Sequence, residues 1–201
     1  VEGLSEIFLS RLDILPTTTR DFVQTASVAG PTFPLQLIEP IFPQKSLTGI
    51  LSSLLDEGIL SKEKRGELFW LSFRNRFFQQ TVYDSLLLAT RKKLHKRFAQ
   101  NILGLYKRGY PQLLPSVGYH FEQADDFASS GKYYMKAAQY QIEKLYAFPE
   151  ALFFYRKAYG ILKRHPNFDE VKEIFFRTHL GSAQCLWYSG ELNPALKELK
   201  S

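Results

Sequence analysis

The sequence predicts a mainly α-helical chain in two parts, the first of them closed by a small β-hairpin. Three observations lead there. Apolar residues recur three and four apart along most of the chain, as at Leu47, Ile50, Leu51, Leu54 and Leu55, which is the period of a half-buried helix. One pair of short β-prone runs, Ile59-Leu60 and Leu68 to Phe73, interrupts that period. Beyond the pair, the links between helical stretches are short and hold breakers, at Gly109 and Pro111, Asp125-Asp126, Pro149, Pro166 and Gly190. With 45% apolar and 23% charged residues among 201, the chain has the means to build a core and is no disordered tail. Its single cysteine, Cys185, excludes an internal disulfide framework and fits a reducing compartment. No apolar run approaches the ~20 residues of a membrane helix and no secretory signal opens the chain, so a cytoplasmic protein without a membrane span is expected.

The opening helix carries Leu4, Ile7, Phe8 and Leu12 and is broken at Leu15-Pro16. Thr17 or Thr18 is placed to cap a second helix, which runs through Phe22, Val23 and Ala26 and ends at Gly30. Pro31, Pro34, Pro40 and Pro43 cut the next stretch into short pieces, with Leu35, Leu37, Ile38 and Ile41 available to a core. Ser46 then caps a helix over 46–57, stopped by Gly58. The hairpin follows, its runs joined by the polar link Ser61 to Glu67. Helices followed by a hairpin is the order of a winged-helix domain, expected here over residues 1–88. Leu68, Trp70 and Ser72 alternate with Phe69, Leu71 and Phe73, so both faces of the last strand are largely apolar. A two-stranded wing buries both faces only when something packs on each side. The domain's own helices are expected on one face, and the second part or an upstream domain on the other.

Winged helices often read DNA through the helix before the wing. Here that helix has no Arg or Lys after Lys45 and ends in Asp56-Glu57, while Glu63 and Glu67 dilute Lys62, Lys64 and Arg65 of the wing. Phosphate contacts and purine readout rely on Arg and Lys, so a winged helix that packs on protein is expected.

The second part, residues 89–201, is read as helical throughout, with helices at 90–107, 112–123, 129–145, 149–163, 169–189 and from 194 onward. Links this short make antiparallel neighbours. Ser130-x3-Tyr134-x2-Ala137 and Ala151-x3-Tyr155-x2-Ala158 place a small residue four before an aromatic ring, Ala195-x3-Leu199 does so in part, and Val117-Gly118-x2-Phe121 resembles the partner helix of such a pair. This is the tetratricopeptide pattern, in which small residues let helices approach and the ring fills the neighbour's groove. The motifs are 21 and 44 residues apart, against about 34 in an ideal repeat. An irregular tetratricopeptide-like array is expected, with an ordinary bundle using Ala and Tyr for packing as the alternative. Tyr133, Tyr140, Tyr146, Phe153, Tyr159 and Phe176 exceed what the signature uses. They are candidates for an inner face that binds an extended peptide or a partner domain, or for the core. The chain starts at Val1 inside a helix and stops in the helical pattern Leu196 to Ser201, so it reads as a piece of a longer protein whose repeats are cut at the C-terminus.

Searches for chemistry return nothing. The sequence has no G-x-x-x-x-G-K-[ST] phosphate loop, no dinucleotide glycine fingerprint and no H-E-x-x-H. His95, His120, His165 and His179 lack paired ligand spacing, so no catalytic residue, metal site or cofactor is expected in this segment. The net charge of +6 is local: Arg91, Lys92, Lys93, Lys96, Arg97, Lys107 and Arg108 lie in the acid-free stretch from Ser85 to Tyr119, leaving nineteen basic against twenty acidic residues elsewhere. Such a patch can bind nucleic acid by counterion release, or be the solvated face of a helix whose apolar stripe is Leu94, Phe98, Ile102 and Leu105.

Four stretches resemble one family. Arg11 to Pro16, continuing through Ala26 to Phe33, is similar to the "RLDxLPxxxRxxLxxASVxGxxF" segment that follows the nucleotide-binding core of STAND-class signalling ATPases, above all those of multidomain bacterial proteins with class III nucleotide (adenylate) cyclase or serine/threonine kinase modules. Phe73 to Leu87 resembles their "FRHxLxQxxxYxSLL", Arg91 to Ala99 their "RxxLHxxxA", and Gly118 to Ala124 their "AxHxxxA" helix. The resemblance implies a winged helix packed on an upstream ATPase core that holds ATP or ADP, then a tetratricopeptide-like sensor or docking arm. The family's "FRH" histidine, similar to the one that reaches nucleotide phosphate in related ATPases, is Asn75 here. Asn can donate a hydrogen bond but cannot become cationic, and Arg74 and Arg76 are the neighbours that could take its place in nucleotide sensing. The function expected is thus a non-catalytic regulatory and protein-interaction segment. The alternative is a nucleic-acid-binding segment of a transcriptional regulator using the basic helix 91–108.

Overall fold

The computed structural model describes residues 2–42, 44–107 and 109–199, without the side chains of residues 2, 44–46, 198 and 199. Pro43, Arg108, the Leu199 side chain of the third small-plus-large motif and both chain ends lie outside the described residues, as does the Ser46 side chain, and the helix expected to start after a Ser46 cap begins at Gln44, so Ser46 stands inside it. The protein is mainly helical with one small antiparallel sheet of three strands. It divides into two compact units, Val1–Phe98 and Ala99–Ser201.

The first unit opens with α1 (Glu2–Ile14) and α2 (Thr17–Ala29). Pro16 occupies the cap position of α2 with no side-chain cap bond, so Thr17 and Thr18 stand inside the helix instead of capping it. Proline fits there because the first helical N–H groups have no intrahelical partner. Within the Pro-divided stretch lies a strand the sequence reading did not contain, β1 (Thr32–Pro34), followed by 3-10 turns at Leu35–Leu37 and Glu39–Ile41. After α3 (Gln44–Asp56) come β2 (Leu60–Arg65) and β3 (Leu68–Phe73). β3 is central, pairing with β1 at Phe33 opposite Leu71 and with β2 at Lys62 opposite Leu71. Most of the supposed polar link is therefore strand, and Gly66-Glu67 alone makes the turn. A charged strand suits an edge, because charges there oppose further pairing. Pro34 is tolerated for a related reason: β1 is the other edge.

Leu68, Leu71 and Phe73 of β3 are buried, whereas Phe69 is exposed and Trp70 half-buried. Cations of β2 cover both rings, Lys62 Nζ at 4.4 Å from the Phe69 centroid and the Arg65 guanidinium at 5.1 Å from Trp70. The second face of the wing thus needs less cover than its composition implied. The unit is completed by α4 (Arg76–Ser85) and the start of α5 (Leu88–Tyr106). Its core joins Phe22, Ile38, Leu54, Leu60 and Leu71, all fully buried, with Phe78 of α4 packed 5.7 Å from Phe8 and 6.4 Å from Phe73.

The second unit continues from α5 through a 3-10 turn at Pro111–Leu113 into α6 (Leu114–Gln123), α7 (Phe127–Leu145), α8 (Phe148–Leu162), α9 (Phe168–Tyr188) and α10 (Leu192–Leu199). Each helix from α6 on packs against the next, and α7 also touches α9. Both complete motifs are core: Ser130, Tyr134 and Ala137, like Ala151, Tyr155 and Ala158, are buried. Their rings land on glycines. A Cβ on Gly118 of α6 would stand 2.9 Å from the Tyr134 ring, and one on Gly181 of α9 would overlap the Tyr155 ring. Ser130 Oγ fastens the first pair by donating to the Gly118 carbonyl at 2.8 Å.

Gly181→Ala should therefore destabilise the chain by about 1–3 kcal/mol, the usual cost of overpacking, although Ala is the better helix former. Denaturant midpoints check this. Tyr155→Leu in the same chain should recover part of the loss, since it removes the atoms that the new methyl meets.

Candidate functional site

The residues marked for nucleotide sensing stand together where β3 gives way to α4. Arg74, Asn75 and Arg76 are all exposed. Asn75 has extended backbone, and its Oδ1 accepts the backbone N–H groups of Phe77 at 2.9 Å and Phe78 at 3.0 Å. It is the N-cap of α4, a position that favours Asn, so its carboxamide oxygen is committed to the helix and its NH2 is the group left to meet a ligand. The junction is tied to α2. Gln79, one turn on, is buried and its Nε2 donates at 2.6 Å to the Ser27 carbonyl of α2.

The α4–α5 corner holds a buried histidine. His95 is 1% exposed and its Nε2 lies 3.1 Å from the Tyr83 hydroxyl. Burial, and then the Arg91 charge, push its imidazole down to about 4. Arg91 lies over the Tyr83 ring at 5.0 Å and pairs with Asp84 at 3.6 Å.

These contacts change the reading of the basic patch. Arg91 faces inward to Tyr83 and Asp84, and the Arg97 guanidinium reaches the Pro40 carbonyl at 3.5 Å. Lys92 is half-buried, whereas Lys93, Lys96 and Lys107 are exposed, Lys107 belonging to the second unit. Arg108 is outside the described residues.

In the second unit, Tyr146, Phe153 and Phe176 are exposed, while Tyr133, Tyr140 and Tyr159 are half-buried. Tyr140 lines a cleft of about 400 Å³ with Tyr106, Pro111, Lys136 and Glu143. Phe153 and Pro149 border two shallow hollows of about 330 and 250 Å³. Tyr159 stacks on His179 at 5.3 Å and meets Phe175 at 4.7 Å. The sequence reading missed further rings on this surface, Trp187 and Tyr188. Their signal was their place just before Gly190, in the last turn of a helix, where neighbours thin out.

The electrostatic centre of this unit is Glu122, which pairs with Arg164 at 3.1 Å and Lys157 at 3.4 Å. Burial, then the Glu122 charge, raise the Tyr134 hydroxyl well above the usual tyrosine range. Burial also pushes the Cys185 thiol up to about 11, so it stays protonated and unreactive near neutral pH. Among the described residues no group of three His, Cys, Asp or Glu side chains could hold a metal ion, and no helix is long and apolar enough to cross a membrane.

Asn75→Ala should cost about 1 kcal/mol by loss of the cap, with Asn75→Asp close to neutral; urea midpoints of the two variants check it. His95 should give stability a distinct pH dependence. Its folded value lies near 4 against 6.5 for the free group, so between those limits the unfolded chain binds more protons. Its contribution is complete above about pH 6.5 and falls as pH drops towards 4, by up to about 3 kcal/mol. Urea denaturation at several pH values should show a shallower slope in this window for His95→Gln than for the parent sequence.

No protein-family model matches the chain. An uncharacterized protein of Rhizobium meliloti (strain 1021) is 29% identical over 100 residues, a stretch that is 48% of this chain and 10% of that protein. The match thus spans about a tenth of the length of that relative.

Proposed function

We propose that the chain is a non-catalytic regulatory and protein-interaction segment of a larger nucleotide-switched signalling ATPase. In this reading the first unit is a winged-helix-like module that packs on an ATPase core binding ATP or ADP. The second is an irregular tetratricopeptide-like array that docks a protein or peptide. The order α2, β1, α3, β2, β3, with β3 between β1 and β2, supports the first assignment. So do the described outward side chains of α3 and the turn after it, Thr48, Ser52, Asp56 and Glu57, which include no cation. The observation that carries the docking role is that none of the six marked rings of the second unit is fully buried, and Tyr146, Phe153 and Phe176 are at least 60% exposed. Large rings left outside a helical array are characteristic of interaction surfaces.

Nucleic-acid binding through α5 is the second reading: Arg91 is engaged within its own unit, whereas Lys93, Lys96 and Arg97 are exposed. Hydrogen exchange of the intact parent protein tests the proposal. Exchange in α1 to α4 should differ between the ADP state and a non-hydrolysable ATP-analogue state, and α8 and α9 should be better protected than in the isolated chain. Identical exchange in all three samples would overturn it. For the isolated chain with random duplex DNA, weak binding with a shallow salt dependence is expected. A log–log slope steeper than about −5, lost in Lys93→Glu/Lys96→Glu, would establish the alternative.

A further inference from the structure

The wing of the first unit leaves a row of backbone hydrogen-bonding groups unpaired beside an apolar groove. β2 ends the three-stranded sheet, so its far side faces no strand. Arg74 N–H donates to the Ile59 carbonyl, whereas Phe73 N–H donates to the Pro31 carbonyl, away from β2. In an antiparallel ladder these groups change side with each residue. With Leu60 opposite Phe73, Ser61, Glu63 and Arg65 therefore turn their N–H and C=O groups to β3, and Lys62 and Lys64 turn theirs to the open edge. Both lysines are exposed, and among the described residues no backbone hydrogen bond from another element reaches them.

The groove has a volume of about 490 Å³ and is lined by Leu35, Leu47, Leu51 and Leu55, with Glu39 and Lys62. Lys62 thus belongs both to the groove and to the edge, and Lys64, two residues on, points to the same face of the sheet. A residue paired with Lys62 across the edge would stand about 5 Å away and send its side chain to that face. There an apolar side chain matches the leucines. Opposite Lys64, which does not line the groove, a carboxylate is favoured, because opposed unlike charges stabilise a strand pair. Among the described residues neither lysine has an ion-pair partner, Glu63 being taken by Arg65. The charges that keep β2 from pairing with an arbitrary strand therefore select one. A second β2 is a poor occupant, since antiparallel pairing of two such edges sets lysine against lysine.

We propose that the β2 edge accepts an extended segment of a partner protein as a fourth, antiparallel strand, with a carboxylate opposite Lys64 and, two residues later, an apolar side chain opposite Lys62 on the face of the groove. The direction follows the sheet, which is antiparallel throughout. Backbone bonds supply the affinity of such an added strand and its alternate side chains supply the choice. This site lies in the first unit and stands independently of the docking role given to the second.

The test uses the isotope-labelled chain and a peptide of about eight residues in which Glu, Ile and Val occupy alternate positions between threonines, followed by amide NMR. In the chain alone the Lys62 and Lys64 amide protons should exchange fast and the Glu63 proton slowly, and saturating peptide should protect the first two. In antiparallel pairing the peptide's Glu and Ile carry the N–H groups that meet β2. Their N-methylation should weaken binding by about tenfold or more, while N-methylation of the two threonines beside them leaves it unchanged. A peptide with Lys for Glu should bind several-fold more weakly, and Lys64→Glu should reverse that order. Lys64→Pro removes an outward N–H without touching the β2–β3 ladder and should lose more than Lys64→Thr, with slow Glu63 exchange verifying the fold. If Lys64→Pro unfolds the wing, the two N-methylated peptides decide. Equal loss from either methylation, unprotected Lys62 and Lys64, or shifts confined to the second unit overturn the proposal. Self-association of the chain that Lys64→Pro abolishes also overturns it, by making the occupant a second copy.

Discussion

Two tyrosine rings occupy the space that side chains on neighbouring helices would need, and the packing of the second unit follows from that seating. Tyr134 of α7 lies on Gly118 of α6, and Tyr155 of α8 lies on Gly181 of α9. Small residues join large ones around each ring: Tyr134 has Ala158 beside Ile161 and Phe154, and Tyr155 has Ala138, Ala151 and Cys185 beside Met135. The volume of each ring dictates the glycine beneath it, because interiors pack at crystal-like density and a helix pair cannot both approach closely and carry two large side chains at the same point of the crossing. Polar contacts then fix the register. Glu122 of α6 draws Lys157 and Arg164 of α8 to the helix that holds Gly118, and Lys157 also lies 4.6 Å from the centre of the Tyr134 ring. The Glu122 side chain is only 20% exposed, so losing one partner would leave a poorly hydrated charge, which makes the cluster a specifier of arrangement more than a source of stability.

The helices were legible in the sequence because their apolar faces repeat over three turns or more. α7, expected at 129–145, spans Phe127–Leu145, and α9, expected at 169–189, spans Phe168–Tyr188. What escaped is short or weakly periodic. β1 is three residues long and ends in proline, so no alternation could mark it; pairing with β3 makes it a strand. α4 has Phe78 and Val82 inward but Phe77 outward, which blurs its period, and a buried Gln79 takes the place of an apolar residue. Asn75 was the visible signal for α4, an Asn before a helical run. It was weighed for its chemistry towards nucleotide, and its capping geometry went unread.

The candidate surface was legible in kind and less so in place. Of the six aromatic rings marked as surplus to the packing signature, the three exposed ones sit at a helix end or on an outward face, at Tyr146, Phe153 and Phe176. Tyr133 stacks on Phe121 at 5.6 Å and Tyr159 on His179 at 5.3 Å, which half-covers them. Periodicity separates inward from outward along a helix, but it cannot tell a ring covered by one neighbour from a ring covered by none. Trp187 and Tyr188 escaped for that reason: they follow the buried Cys185 and Leu186 and look like the end of a core stripe until the α9–α10 link turns the chain away.

Net charge is a poor guide to what this chain meets. Much of the excess of cations lies on α5, but its Arg91 is turned to Asp84 and the Tyr83 ring, while Arg97 stays exposed. An arginine held in a planar contact with a ring and a carboxylate has little left to offer a phosphate. In the second unit the signs are mixed at close range, as where Glu143 lines one cleft with Lys136 and Lys144. Coulomb interactions at a protein surface fade over about 8–10 Å, so a partner responds to the charges close to where it lands and not to the total.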